Sequence, residues 1–498
     1  MKDLYIGIDL GTSAMKLILI DSEENVLAGT SVDYPLIKPQ EGWSEVNQEC
    51  WFDSMMQGLK SLLDGQNTKA LRCIGITGQM HTLVVLDREG RFIRPALMWN
   101  DLRTRELVPR LQKTLKGFEE GEYLSRTVST GSPLSNLYWL KENEPENYSR
   151  IGMFMIGPDY LVYRLTGVHG TDYCEASTSC LYEIRNRRWS PQAARLLELS
   201  EEVYPAVRGS AVPAGYVSKE TAHILGIPEN VRVLTGTGDN AAAAVSTRCM
   251  DNDQPFISLG TSGVLVLPVD EEWEQPYGKR ILFSYDGSRF YNLVQGSVQA
   301  NGPTVNWWNS RILQNPDLSY IDNCIDLEKQ KSNRVLFYPH LDGEKTLYAD
   351  STLRGAFIGM STDTDRETLT YAMLEGICFA FRELAQKLGL SFEKYRKIQV
   401  VGGGTNSRVW LQTLANVLNI PVERIDGKIG AAYGIAHLAV MSENESGDHS
   451  KASASESTAN GALFYPDPEM SRLCGQKYEM YRRLHDGLKY ITEGRRPD

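Results

Sequence analysis

The chain is short of the signals that mark several large classes of protein. Its eight cysteines form no CxxC pair and stand in apolar or mixed stretches, which argues against a disulfide scaffold or a zinc site and for reduced thiols. No run approaches the roughly 20 apolar residues of a membrane helix. Asp9 and Gly11 break the only early apolar run, so no secretory leader is expected. Basic residues are in deficit, 52 against 63 acidic ones, and the formal charge of −11 disfavours a general nucleic-acid surface. Any anion site must therefore be local. Walker A, HExxH and GxSxG patterns are also missing. A cytoplasmic soluble protein without membrane or nucleic-acid partners is expected.

What is present points to two large domains or three smaller ones, because 498 residues with 42% hydrophobic content exceed one ordinary core. The organising stretch is Val231 to Gly263. It joins an apolar run ending in Gly238-Asp239-Asn240, a short Ala-rich helix, and a second apolar run ending in Leu259-Gly260-Thr261-Ser262-Gly263. Asp239 stands where a strand gives way to a helix, and Gly260, Thr261 and Ser262 form a turn of the kind that holds phosphate through amides and hydroxyls. The I-x-L-G-T-S pattern of Ile257 to Ser262 also occurs at Ile8 to Ser13, and the offset, 257 minus 8, is 249, half the chain. Two related halves are expected, each opening with a strand, a Gly-Thr-Ser turn and a strand.

In chain order, strands at 4–8, 15–20 and 26–32 form a meander, Trp43 to Leu63 has helical periodicity, and a buried strand at 71–77 ends at Gly78-Gln79-Met80-His81. Ala372 to Leu388 reads as a long amphipathic helix, and a strand at 397–401 enters Gly402-Gly403-Gly404 ahead of another helix. Residues 443–460 contain no aliphatic side chain larger than Ala and read as a solvated insertion. Asp467 to Thr492 reads as one closing helix. The expected domains are 1–245 and 246–442, with 461–498 packing on the second.

Each motif has a plainer reading. A lone Gly11-Thr12-Ser13 is usually only a hairpin, but two copies at matched positions favour phosphate. Asp239 could simply cap the helix Asn240 to Val245. Asp9 could be a turn residue, yet a carboxylate beside such a turn is where a Mg²⁺ shell needs oxygen, usually through water. Met80 is by default a core residue, whereas His81 at a strand end is a candidate ligand.

Asp9-Leu10-Gly11-Thr12-Ser13, Gly78-Gln79-Met80-His81, Trp99-Asn100-Asp101, Gly238-Asp239-Asn240, Leu259-Gly260-Thr261-Ser262-Gly263 and Gly402-Gly403-Gly404 stand in the order seen in FGGY carbohydrate kinases, which the chain resembles from about residue 3 to 440. The resemblance implies an α/β actin-like ATPase fold, two ribonuclease-H-like domains duplicated around a central cleft. It implies ATP and Mg²⁺ as cofactors and a small-molecule sugar as partner, with a homodimer left open. The activity implied is phosphorylation of the terminal hydroxyl of a ketopentose, D-xylulose above others, with another ketose, a polyol or an aldonate as alternatives. An actin-like nucleotide-binding regulator is the rival from a different class. By that likeness Asp239 is the general base, and Asp9, with Asp239, places Mg-ATP. Met80, His81, Asp239 and Asn240 contact the sugar, with Trp99 and Asn100 beside them. Gly11, Thr12, Ser13, Lys16, Gly260, Thr261 and Ser262 grip phosphates, and Gly302, Asn306, Gly403, Gly404 and Ser407 line the adenine pocket. Departures from the family pattern fall at Asn136, where Lys is usual, at Thr82, where Gly often follows the His, and across Tyr338 to Thr346.

Overall fold

The computed structural model describes residues 2–118, 121–250, 253–260, 263–273, 277–315, 319–344, 346–348, 350, 352–425, 430–443 and 461–493, without the side chains of 393 and 490–493. Thr261, Ser262 and the expected insertion from residue 444 onward lie outside the described residues. Two compact units divide the chain. The first comprises Met1–Ser246, Arg280–Leu293 and Lys428–Glu456; the second comprises Thr247–Lys279, Val294–Gly427 and Ser457–Asp498.

The first unit is built on a sheet in the order Pro213–Tyr216, Arg232–Leu234, Leu71–Gly78, Leu4–Leu10, Ala14–Asp21, Val26–Asp33, with Thr237–Gly238 also paired to Leu71–Gly78. The opening meander forms as its alternation dictates, both pairs antiparallel. Leu4–Leu10 runs parallel to Leu71–Gly78. On one face Met15, Leu17 and Leu19 share a core with Trp51, Met55, Leu59 and Leu62 of the helix Gln48–Leu63. Their spacing of three and four residues places them on one stripe of that helix. The helix starts later than the periodicity from Trp43 implies. Asn47 caps it by accepting from the Glu49 N–H at 3.1 Å, while Glu45–Val46 is a strand paired with Ala96–Leu97.

The other face is covered by the helix Ala431–Met441, which the sequence places in the second domain. It packs backbone against backbone. A Cβ on Gly7 would lie 2.0 Å from the Ala432 carbonyl oxygen, one on Gly75 would lie 2.6 Å from that of Ile435, and one on Gly434 would lie 1.9 Å from that of Ala242. Small residues on all sides are what allow this approach.

In the second unit the order Gly263–Val269, Phe256–Leu259, Ile398–Val401, Val422–Arg424, Leu463–Phe464 repeats the hairpin followed by a parallel neighbour. The helices Arg366–Lys387 and Arg408–Leu418 contribute Tyr371, Leu374, Phe381, Leu411 and Leu414 to its core. The tail is two helices, Pro468–Tyr481 and Leu484–Glu493, where the sequence reads as one. Among the described residues no helix is long and apolar enough to cross a membrane.

Candidate active site

Each unit gathers its candidate residues where parallel strands end. In the first unit Asp9 and Thr237 both pair with Thr77, and Leu10 and Gly238 both pair with Gly78, so three neighbouring strands finish side by side. The carboxyl ends of parallel strands are the usual place for a ligand in α/β sheets. Asp9 is the penultimate residue of the first strand, Gln79-Met80-His81 follows the second, and Asp239 follows the third as first residue of the helix Asp239–Ser246. Asp239, Asn240, His81, Trp99 and Asn100 are part-exposed, whereas Met80 is buried and its Sδ lies 3.6 Å from the Asn240 amide nitrogen. His81 has a left-handed backbone, φ 72°, uncommon for a side-chain-bearing residue.

The charges at these strand ends act on one another. Burial, then the charge of Asp9, pushes the Asp239 carboxyl up to about 7, although the Asn240 N–H bonds to it and pulls the other way. Burial pushes Asp9 up to about 6, opposed by Lys16, its antiparallel partner. Two carboxyl groups at neighbouring strand ends are the kind of oxygen donors a hard divalent cation takes. Among the described residues no group of three or more His, Cys, Asp or Glu could hold a metal, so an ion there would draw the rest of its shell from water and phosphate, as Mg²⁺ commonly does.

The first Gly-Thr-Ser turn is tied to this cluster. The Trp99 indole N–H donates to the Thr12 hydroxyl at 3.2 Å, and the Tyr34 hydroxyl donates to the Gly11 carbonyl. Ser13 and Lys16 are exposed beside it. Thr82, a departure in sequence, is fully buried and accepts the Trp99 main-chain N–H at 3.2 Å, so its hydroxyl fixes where Trp99 begins. Asn136, another departure, is buried and donates to the Gly131 carbonyl at 3.3 Å. Arg103 has no exposed side-chain surface. Its guanidinium bonds Asp101 and, at 2.5 Å, Glu45, and lies 3.8 Å from the centre of the Trp43 ring.

In the second unit Ser258 pairs with Val401, so Gly260 and Gly402 follow adjacent parallel strands. Gly402 takes φ 97°, and a Cβ there would lie 2.8 Å from the Leu259 carbonyl oxygen. The Asn301 amide donates to the Gly260 carbonyl at 2.7 Å, which brings the neighbouring Gly302 beside Gly260, and Asn306 and Gly403 are exposed. Gly404 packs on Leu259 and Trp410. Ser407 is buried. It caps Arg408–Leu418 by accepting from the Trp410 N–H and donates to Asp322 at 2.5 Å.

Several of these partners escape sequence reading. Asn301 stands one place before a noted glycine, and Asp322 acts across 85 residues. Glu175, beside the Asp239 strand end, offers one signal, an acidic residue in a run of small side chains three places after Asp172.

With that geometry in view, the comparisons are specific. Residues 4–246 match the N-terminal domain of the FGGY family of carbohydrate kinases and residues 256–443 its C-terminal domain. The chain is 30% identical to a xylulose kinase of Bacillus subtilis over 489 residues, 98% of this chain and 97% of the relative. The solved structure of a xyloylose kinase from Brucella ovis aligns with TM-score 0.88 at 27% identity, covering 98% of this chain and 100% of that one. A gluconate kinase from Lactobacillus acidophilus gives TM-score 0.86 at 22% identity over 98% of each chain, a likeness of fold alone. The α/β actin-like ATPase fold implied by the motifs is the fold observed.

Proposed function

The chain belongs to the FGGY family of carbohydrate kinases, and from that membership we propose that it transfers the γ-phosphoryl group of ATP to the terminal hydroxyl of a ketopentose, converting D-xylulose to D-xylulose 5-phosphate. The observation that carries the reading is the convergence of Asp239 with Asp9, Met80, His81 and Asn240 at adjoining strand ends. Membership of a carbohydrate kinase family leaves the regulator reading without support.

Phosphoryl transfer asks a protein mainly to position and to balance charge. Asp239 accepts the proton of the attacking hydroxyl, and a base held near neutrality suits that task. His81, Asn240 and Asn100 bond the remaining hydroxyls and the carbonyl, and Trp99 packs on the carbon skeleton. Gly11, Thr12, Ser13 and Lys16 bind phosphate oxygens, and a phosphate role is likewise assigned to Gly260, Thr261 and Ser262. Gly302, Asn306, Gly403 and Gly404 receive the adenine, and Ser407 fixes the helix start beside them. Asp9 and Asp239 would hold Mg²⁺ through water, where the ion neutralises phosphate charge.

The acceptor is not decided by the fold, which also serves a gluconate kinase. An acid acceptor needs a cation, and Arg103, the nearest one in sequence, is enclosed and ion-paired with Asp101 and with Glu45, which it shares with Arg94, while its Nη1 has no hydrogen-bond partner among the described residues. That favours a neutral sugar. An ADP-production assay across both xylulose enantiomers, ribulose, glycerol, erythritol and gluconate tests the reading. D-xylulose is expected to give the highest kcat/KM, and better turnover of gluconate or a polyol overturns it.

A further inference from the structure

Behind the candidate acceptor residues lies a carboxylate that no step above uses. Glu175 belongs to the helix Tyr173–Thr178 and is 1% exposed. Its main-chain N–H bonds the Asp172 cap at 2.9 Å, and Asp172 in turn accepts from the Ser210 hydroxyl at 2.7 Å, so the start of the helix is locked. Neither oxygen of its carboxyl has a hydrogen-bond partner among the described residues, and burial, then the charges of Asp159, Asp172 and Asp239, raise the group well above the usual carboxyl range, with the His81 main-chain N–H acting against them. Buried polar groups are ordinarily satisfied, so one left this way calls for an explanation.

Its neighbours supply one. A Cβ on Gly238 would lie 3.0 Å from Glu175 Oε1, 2.6 Å from Met80 Cγ and 3.1 Å from Met80 Sδ. Glu175 thus packs against the residue immediately before Asp239, beside Met80 of the turn that carries His81. That turn is strained, because His81 holds φ 72° with a side chain in place. A left-handed residue at a ligand site persists only when its surroundings over-determine it.

We propose that Glu175 is a positioning residue for the acceptor side of the site, its buried carboxyl packing with Met80 against Gly238 and so setting the turn that carries His81 in its place beside the strand end that presents Asp239. The inference rests on the reading of His81 and Asp239 as acceptor residues. Its consequence is selective: loosening the turn misplaces the acceptor groups while the turns at Gly260 and Gly402, which belong to the other unit, are untouched.

The test uses the full-length enzyme and the variants Glu175→Gln and Glu175→Ala. Gln keeps an oxygen of the same reach, and Ala removes it. Two readouts are taken: hydrogen exchange of the segment 79–82, and KM for the acceptor against KM for ATP. Glu175→Ala is expected to speed exchange at 79–82 and raise the acceptor KM by roughly 10- to 100-fold, the range seen when a supporting residue is removed, with KM for ATP and sugar-independent ATP hydrolysis within about twofold of wild type. Glu175→Gln is expected to stay near wild type in both readouts. The assignment is overturned by unchanged exchange in Glu175→Ala, by equal losses for acceptor and ATP, or by a Glu175→Gln variant as impaired as Glu175→Ala. Because the exchange readout needs no sugar, a wrong acceptor and a wrong role for Glu175 give different results.

Discussion

Asp239 is held in conflict with its own charge. Its folded carboxyl sits near 7, well above the 3.8 of a free group, through burial first and Asp9 second. As the proposed base it would work only when ionised, so kcat/KM for the acceptor should rise with pH through about 7 and level off above it. A flat profile from about pH 5.5 to 8 would remove Asp239 as the group that titrates. For stability the sign is opposite. A carboxyl raised on folding leaves its full stability below the unfolded value and loses it as pH climbs through the folded one. Asp239→Asn should therefore cut kcat by about 10² to 10⁴-fold and yet melt higher than wild type at pH 8, by roughly 2–4 °C for each kcal/mol relieved. The gain should vanish near pH 4, and calorimetry at the two pH values checks it. At this scale the sequence is informative about Asp9, Asp239, Met80 and His81, because each stands at a strand end marked by a glycine. It says nothing of Thr12 receiving Trp99 or of Asp322 receiving Ser407, since contacts across 87 and 85 residues leave no local pattern.

Among the elements, strands and hairpins follow from alternation and glycine turns, and the offset of 249 residues corresponds to two hairpins that each gain a parallel neighbour. Boundaries follow less well. Helical periodicity from Trp43 is overridden by Glu45, whose carboxylate pairs with Arg94 and Arg103 and keeps its stretch extended. The helix Ala431–Met441 is buried along Ala432, Ile435, Ala436 and Ala439, but nothing local says which sheet it will meet. What identifies the partner is the match of Gly7, Gly75 and Gly434 to facing carbonyls. Gly434→Ala is thus predicted to destabilise by more than about 3 kcal/mol, since the new carbon would meet backbone that cannot yield. Gly475, inside Pro468–Tyr481, has nothing within 4 Å of an added Cβ. Gly475→Ala should stabilise by about 0.5–1 kcal/mol. Denaturant unfolding of both variants checks the contrast, and similar effects in the two would discount the close packing.

For the molecule as a whole, sequence order and spatial membership diverge. Besides Met1–Ser246, the first unit takes in Arg280–Leu293 and Lys428–Glu456. The first of these is fastened through Leu282, whose N–H donates to the Ser177 hydroxyl at 3.0 Å, and through the Ser284 and Tyr285 carbonyls, which accept from Ser210 and Ala211. A fragment of residues 1–246 should accordingly fail to give a cooperative thermal transition, and adding residues 247–498 as a separate chain should restore one. A sharp transition in the isolated fragment would show that its core closes unaided.

The late arrival of the helix Ala431–Met441 also bears on how the protein is made. Strands Leu4–Leu10 and Leu71–Gly78 leave the ribosome early, but their glycine-lined face waits for a cover encoded near the far end of the message. From Ser246 to Met441 is 441 minus 246, or 195 residues, which takes about 10–40 s at about 5–20 residues per second. Throughout that interval any sheet the nascent chain forms would lack this cover and expose a face of the kind that cellular folding helpers bind.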